Sequence, residues 1–275
     1  MFAATLAFMG MLGTAHAYVD PACQEVADAG PPSDYSEEDQ QNYLLNYFAL
    51  ATSLSPLHGA VPHKGGHGSV GLDLGIIPPL GCERRLVLNY TKTEDTNKAP
   101  IVPRPRLIFA FPEIGKWTPY GGLAYAPPLR IFGTQNVIVS GEAGIGRHFG
   151  KTDWALGVRY HHTLMKTVAE IATPFDEGEE AHDDFYVGST FGMDFIIGKD
   201  FDGLEPYVAI GLLDASTFFY IGDDAVVTNN TDPYLGPALS AGVDFKRVKK
   251  LDLAGEFYTN PGYLYTGRFR VAYRW

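Results

Sequence analysis

Long apolar runs are missing from this chain once its first thirteen residues are passed. A membrane-spanning helix needs about 20 such residues in succession, so the sequence does not read as a helical membrane protein. Basic residues are also scarce. Lys and Arg total 21 against 32 Asp and Glu, which leaves a net charge of -11. That balance argues against nucleic acid as a partner. It also argues against simple electrostatic attachment to an anionic membrane surface. Cysteine is limited to Cys23 and Cys82. The two could pair in an oxidising compartment, although sequence fixes no Cα–Cα distance. No named metal or calcium motif occurs, so neither metal nor cofactor is expected.

What the chain does have is two-residue alternation. From residue 67 onward, apolar side chains occupy every second position in segments of about ten residues. Val70, Leu72, Leu74 and Ile76 oppose Ser69, Gly71, Asp73 and Gly75. Val137, Val139, Ala143 and Ile145 oppose Ser140, Glu142 and Gly144. Phe185, Val187, Phe191, Met193 and Phe195 oppose Tyr186, Gly188, Thr190, Gly192 and Asp194. The last segment alternates up to the end, with Tyr263, Tyr265, Phe269, Val271, Tyr273 and Trp275 on one face and Arg268, Arg270 and Arg274 on the other. Connections alternate in length. Those at 79–100, 127–135, 166–183 and 216–233 read as long, and those at 112–116, 148–152, 198–203 and 246–249 as short.

This pattern resembles the bacterial outer-membrane β-barrels, whose last strand ends on an aromatic residue and serves as the assembly signal. The resemblance implies an all-β, transmembrane, antiparallel up-and-down barrel of about ten strands over 61–275. It implies the outer membrane as location, with lipid and the barrel-assembly machinery as partners and Tyr273 and Trp275 as the assembly signal. Long loops would then lie outside the cell and short turns in the periplasm. The polar faces would line the lumen. There Arg104, Arg106, Arg159, Arg268, Arg270 and Arg274 would meet Asp73, Glu142, Asp194, Asp214, Asp244, Asp252 and Glu256. Charges in so narrow a barrel must be paired or hydrated. They would fill it as a structural network or line a path for a small solute.

The N-terminal part reads differently. Met1 to Gly13 is apolar and Ala15-His16-Ala17 offers small residues at both cleavage-determining positions, which predicts a signal peptide over 1–17. Residues 18–34 are rich in Ala, Pro, Gly and Asp. Ser36 supplies an N-cap and Glu37, Glu38 and Asp39 an acidic first turn, so a short amphipathic helix is expected over 37–53, ending before Pro56. Residues 18–60 are thus an N-terminal extension with a short helix, read as lying against the periplasmic rim. A plug inside the lumen is the alternative.

Residues for catalysis are sparse. His161 and His162 near a strand end, and His182 in the acidic stretch 176–184, are candidates for a general base. His58, His63 and His67 are irregularly spaced on a Gly-rich segment. The expectation is a non-enzymatic envelope role, either structural or passage of a small solute. The alternatives are a surface enzyme using rim His and carboxylates, or an adhesin or receptor acting through loops 79–100 and 166–183.

Overall fold

The computed structural model describes residues 18–131, 133–150, 152–173, 179–180, 182–222 and 226–275. The predicted signal peptide and part of the acidic stretch, 176–178 and 181, lie outside them. Ten antiparallel strands close into a barrel. They are β1 (Gly68–Ile76), β2 (Ile101–Ala110), β3 (Thr118–Ile131), β4 (Thr134–Phe149) and β5 (Trp154–Ala169). The second half comprises β6 (Asp184–Lys199), β7 (Leu204–Ile221), β8 (Leu235–Phe245), β9 (Leu251–Asn260) and β10 (Leu264–Arg274). Each strand pairs with its neighbours in sequence. The first pairs with the last, Val70 opposite Tyr273 and Leu72 opposite Val271, so the main sheet of the wall is closed. The expected all-β, up-and-down fold of about ten strands is what forms.

The alternation sorts side chains as anticipated. Val139, Phe191, Ile210, Leu212, Phe269 and Val271 stand on the outer face and are exposed. Ser140, Thr190, Arg159, Arg268 and Arg270 point inward and are buried. One end of the barrel carries the tight turns 111–117, 150–153, 200–203 and 246–250 together with the C-terminus. The other carries the longer loop 77–100, which holds α3 (Cys82–Arg85) and a small ribbon of Leu86–Val87 paired with Lys92–Thr93.

Two connections read as long are mostly strand. β3 runs on to Ile131 and β4 begins at Thr134, the two residues paired, with a register shift between Ala126 and Leu129. Pro127 and Pro128 made this stretch read as a loop. Within 216–233, β7 continues to Ile221 and Val226–Asn229 folds back on it.

The N-terminal segment starts at the loop end with α1 (Gln24–Ala29) and then α2 (Glu37–Thr52), capped by Ser36 Oγ on the Asp39 amide at 3.2 Å. Asn42 and Asn46 of α2 meet Thr231, Asp232 and Tyr234 at the loop end. Residues 53–63 then descend the lumen. Leu57 meets Glu256, Gly59 meets Asp244, and His63 meets Ser69 at the first turn of β1. The chain therefore passes from the loop end to the turn end before the first strand begins. The helix lies within the barrel and not against its turn-end rim.

Candidate functional site

The lumen holds most of the buried charge. An α-helix ends with carbonyls that have no intrahelical donor and with a partial negative charge. Inside a barrel no bulk water can satisfy them. Here arginines from opposite walls do so. Arg268 on β10 donates from Nη1 to Ser53 O at 2.7 Å and from Nη2 to Leu50 O and Ala51 O, both at 3.4 Å. Its guanidinium lies 3.9 Å from the centre of the Tyr258 ring. Arg104 on β2 donates to Thr52 O and to Ser140 Oγ, each at 3.0 Å. Arg106 reaches Ser55 O at 3.2 Å, and Arg159 on β5 reaches Leu54 O.

Carboxylates hold two of these guanidinium groups, those of Arg106 and Arg159, from behind. Arg106 bridges Glu142 at 2.6 Å and Asp73 at 3.0 Å. Arg159 stands 3.4 Å from Glu142 and 3.0 Å from Asp194. Burying an ion costs several kcal/mol, and only close pairing with further hydrogen bonds offsets it. Glu142 joins Arg106, Arg159 and His58 of the descending segment, the last at 3.3 Å. Nearer the turn end, Arg270 meets Asp252 at 2.8 Å and Lys246 meets Asp244 at 2.7 Å. Asp73 stands opposite Arg270 in the closing register, yet its partner is Arg106, because Arg270 turns towards Asp252. Glu256 accepts from the Tyr207 hydroxyl at 2.8 Å. Arg274 lies at the turn-end rim and donates to Lys246 O and Val248 O.

One residue assigned to this network does not belong to it. Asp214 shares its strand parity with the exposed Ile210, Leu212 and Phe218, while Leu213 and Ala215 point inward. It stands on the outer face, opposite Phe191 of β6 and Leu235 of β8.

The descending segment also needs space. Gly146 of β4 and Gly157 of β5 are direct cross-strand partners and both face inward. A Cβ on Gly157 would stand 2.7 Å from Ala60 O, and one on Gly146 would meet the same carbonyl. The paired glycines form a notch that seats the segment at Ala60. Neither this notch nor the roles of His58 and Ser53 follow from sequence. Inward glycine is common on barrel strands and carries no sign of what approaches it.

At the loop end, Cys23 and Cys82 form a disulfide, Cα–Cα 5.3 Å, that ties the N-terminal segment to the 77–100 loop. Leu86, Tyr90, Val19, Val26 and Tyr35 pack around it as a small cap. Asp20 accepts from the Ala22 amide, and that bond, with the nearby Arg85, holds its carboxyl below the usual range. Burial raises Glu94, against the pull of Lys92.

The candidate histidines are dispersed. His161 is buried in the lumen, 3.4 Å from Asp194. His162 points the other way and meets Ser189 Oγ on the outer face at 3.0 Å. His58 and His63 belong to the descending segment, and His67 contacts the Trp275 carbonyl oxygen at 2.9 Å. Among the described residues no three His, Cys, Asp or Glu side chains are grouped as a metal ion would require.

The outer wall is apolar and ringed at its turn end. All three tryptophans, Trp117, Trp154 and Trp275, are exposed there with Phe201 and Tyr273. Cations lie over several of these rings, Lys199 Nζ 5.0 Å from Phe201 and 5.7 Å from Trp154, and Lys250 Nζ 5.5 Å from Tyr273. On β5 the outer face between Trp154 and Lys166 is Leu156, Val158, Tyr160, His162 and Leu164. At about 3.3 Å per residue and a tilt near 40°, that stretch spans roughly 30 Å along the barrel axis.

No protein-family model matches the chain, and no curated protein matches it. Among solved structures it is similar to the translocator domain of autotransporter NalP from Neisseria meningitidis. Identity is 10%, TM-score 0.41, and the match covers 96% of this chain and 100% of that one. It is similar to the toluene transporter TodX of Pseudomonas putida at 9% identity and TM-score 0.39, covering 89% and 77%. It is also similar to Ail, the attachment invasion locus protein of Yersinia pestis, at 10% identity and TM-score 0.32, covering 76% and 99%.

Proposed function

We propose that this protein is an outer-membrane β-barrel with a non-enzymatic envelope role, and that its own N-terminal segment keeps the axial passage closed. The observation that carries the reading is inversion. Most charge faces inward, while a largely apolar wall with an aromatic and cationic belt faces outward. Water would not tolerate such a wall, whereas a bilayer with interfacial Trp, Tyr and Lys matches it. Turns would face the periplasm and the disulfide-tied cap the exterior.

The chain is read as a closed barrel and not as a standing pore. Arginines from β2, β5 and β10 grip the backbone of 50–55 at mid-lumen. A solute following the axis would have to displace a segment held by several charge-assisted hydrogen bonds. Two measurements test the proposal. The full-length chain should sediment with outer membranes and run with heat-dependent mobility on gels. Reconstituted in planar bilayers, it should show no steady single-channel conductance. Recovery as a detergent-free soluble monomer would overturn the location, and a constant open conductance would overturn the closed state.

A further inference from the structure

One seam of the wall is incomplete. β2 pairs with β1 along nine residues, Gly68 opposite Phe109 to Ile76 opposite Ile101. With β3 it pairs over five, from Ala110 opposite Tyr120 to Arg106 opposite Ala124. Above that point, 101–105 and 125–131 run on without pairing to each other. The cause is in the sequence. In an antiparallel strand, successive residues present their N–H groups to opposite neighbours. Ala110 donates to His67 on the β1 side, and Phe111 donates to Pro119 of β3. Odd-numbered residues of β2 therefore serve the β3 seam, and Pro103 and Pro105 are both odd. Pro119 accepts from Phe111, so Pro127 shares the seam-facing parity on β3. Continued upward, the register sets Pro105 opposite Tyr125 and Pro103 opposite Pro127. Three prolines thus remove three of the four donors these two pairs need, leaving only the Tyr125 amide. Such a defect is costly in a lipid-facing wall.

Cavities lie along the defect. On the outer side, one of 190 Å³ is bounded by Val102, Pro103 and Pro105 of β2 and by Ala126, Pro127 and Leu129 of β3. It shares Ala99, Val102, Thr134 and Asn136 with a neck of 40 Å³ inside the wall, lined by Phe48 and Met165 and also by Asp95 and Lys98. The neck shares Phe48, Thr96, Ile171 and Tyr186 with a cavity of 240 Å³ under the cap, whose walls are mainly apolar, with Leu44, Leu45, Leu88 and Phe219, and also carry Glu37, Lys92 and Glu94. An apolar cavity of about 150 Å³ is enough for benzene, so the inner cavity has room for a molecule of that class. Below it, the gripped segment 50–55 blocks descent along the axis.

We propose that the β2–β3 seam is a lateral port, through which a small apolar molecule exchanges between the cavity under the cap and the surrounding lipid. The wall is open where hydrogen bonding has been removed, and the cavities on its two sides share residues. Phe48, packed edge-on against Tyr186, and the adaptable Met165 stand at the neck and would have to move for passage.

The inference rests on the membrane reading above, but its test does not depend on where the protein resides in a cell. Full-length protein in lipid nanodiscs is exposed to fluorobenzene and followed by ¹⁹F exchange spectroscopy. A pocket-bound resonance in exchange with the lipid-dissolved one is expected. Ala99→Trp, placed on a loop at the neck, should slow that exchange at least tenfold. The triple variant Pro103→Thr, Pro105→Thr, Pro127→Thr should slow it similarly and add protected amides at the three sites. If the triple variant does not fold, Ala99→Trp decides alone. Absence of a bound resonance in the unmodified protein, or unchanged exchange in the folded variants, would overturn the port. Fractionation remains a separate outcome that bears only on location.

Discussion

Arg268 shows why a narrow barrel can be lined with arginine. A lysine brings one compact charge, whereas a guanidinium offers five donors in a flat fork. Arg268 uses that fork on three carbonyls at the end of α2 and lays its plane against Tyr258. Alternation in the sequence was enough to place it inside, but not to say what it holds. The same count should have excluded Asp214, which has the even numbering of Ile210 and Leu212. A charge at a strand position is easily assigned inward by its chemistry when its parity says outward. Arg268→Ala should leave the barrel folded and loosen the end of the helix. Hydrogen bonds to a charged group contribute about 1.5–3 kcal/mol, so amides in 50–55 should exchange roughly a hundredfold faster. Unchanged exchange there would mean that Arg104, Arg106 and Arg159 suffice without it.

Elements differed in how far they could be read, and the reason is their surroundings. Strands were legible because each has one wet and one apolar side, so period two survives in the sequence. The helix has no such contrast. Gln40, Asn42, Asn46, Tyr47 and Leu50 are all buried, on several faces, against loops and a polar lumen. A helix enclosed by polar walls need not be amphipathic, so its pattern could not separate rim from lumen. The strand portion at 127–131 was obscured by Pro127 and Pro128, which read as a loop. Depth gives a direct test of the outer face. Phe191, Val139 and Val227 are all exposed, but Phe191 stands well inside the wall opposite His162, Val139 nearer its loop end opposite Leu164, and Val227 on the hairpin beyond it. Phe191→Arg should lower folding stability by about 2–4 kcal/mol in bilayers, Val139→Arg by less, and Val227→Arg by about 0–1. Equal effects would remove the case for a lipid-facing wall. Ser140 is no neutral control, because its hydroxyl accepts from Arg104 at 3.0 Å.

At the scale of the whole molecule, closure and filling meet at one place. The descending segment leaves the lumen after His63, turns through 64–67 and becomes β1 at Gly68. The chain end arrives at the same point. The Trp275 amide donates to Gly68 O at 3.0 Å, the Trp275 carbonyl oxygen contacts His67 Nδ1, and Tyr273 stands opposite Val70. The last three residues therefore complete the wall beside the exit of the plug. Removing Tyr273-Arg274-Trp275 should do more than shorten a strand. It deletes two register pairs from a seam of seven, Ser69 with Arg274 and Val70 with Tyr273. The edge of β1 would then keep unpaired donors and acceptors in lipid, which only a closed barrel avoids. Two outward aromatic anchors at the turn-end belt would be lost as well. The truncated chain should fall at least tenfold in the membrane fraction relative to full length, with the remainder degraded before insertion. A soluble sandwich would treat the same residues as a frayed terminus that tolerates loss. Undiminished, heat-modifiable barrel from the truncated chain would therefore count against both the closing role of β10 and the membrane reading that depends on it.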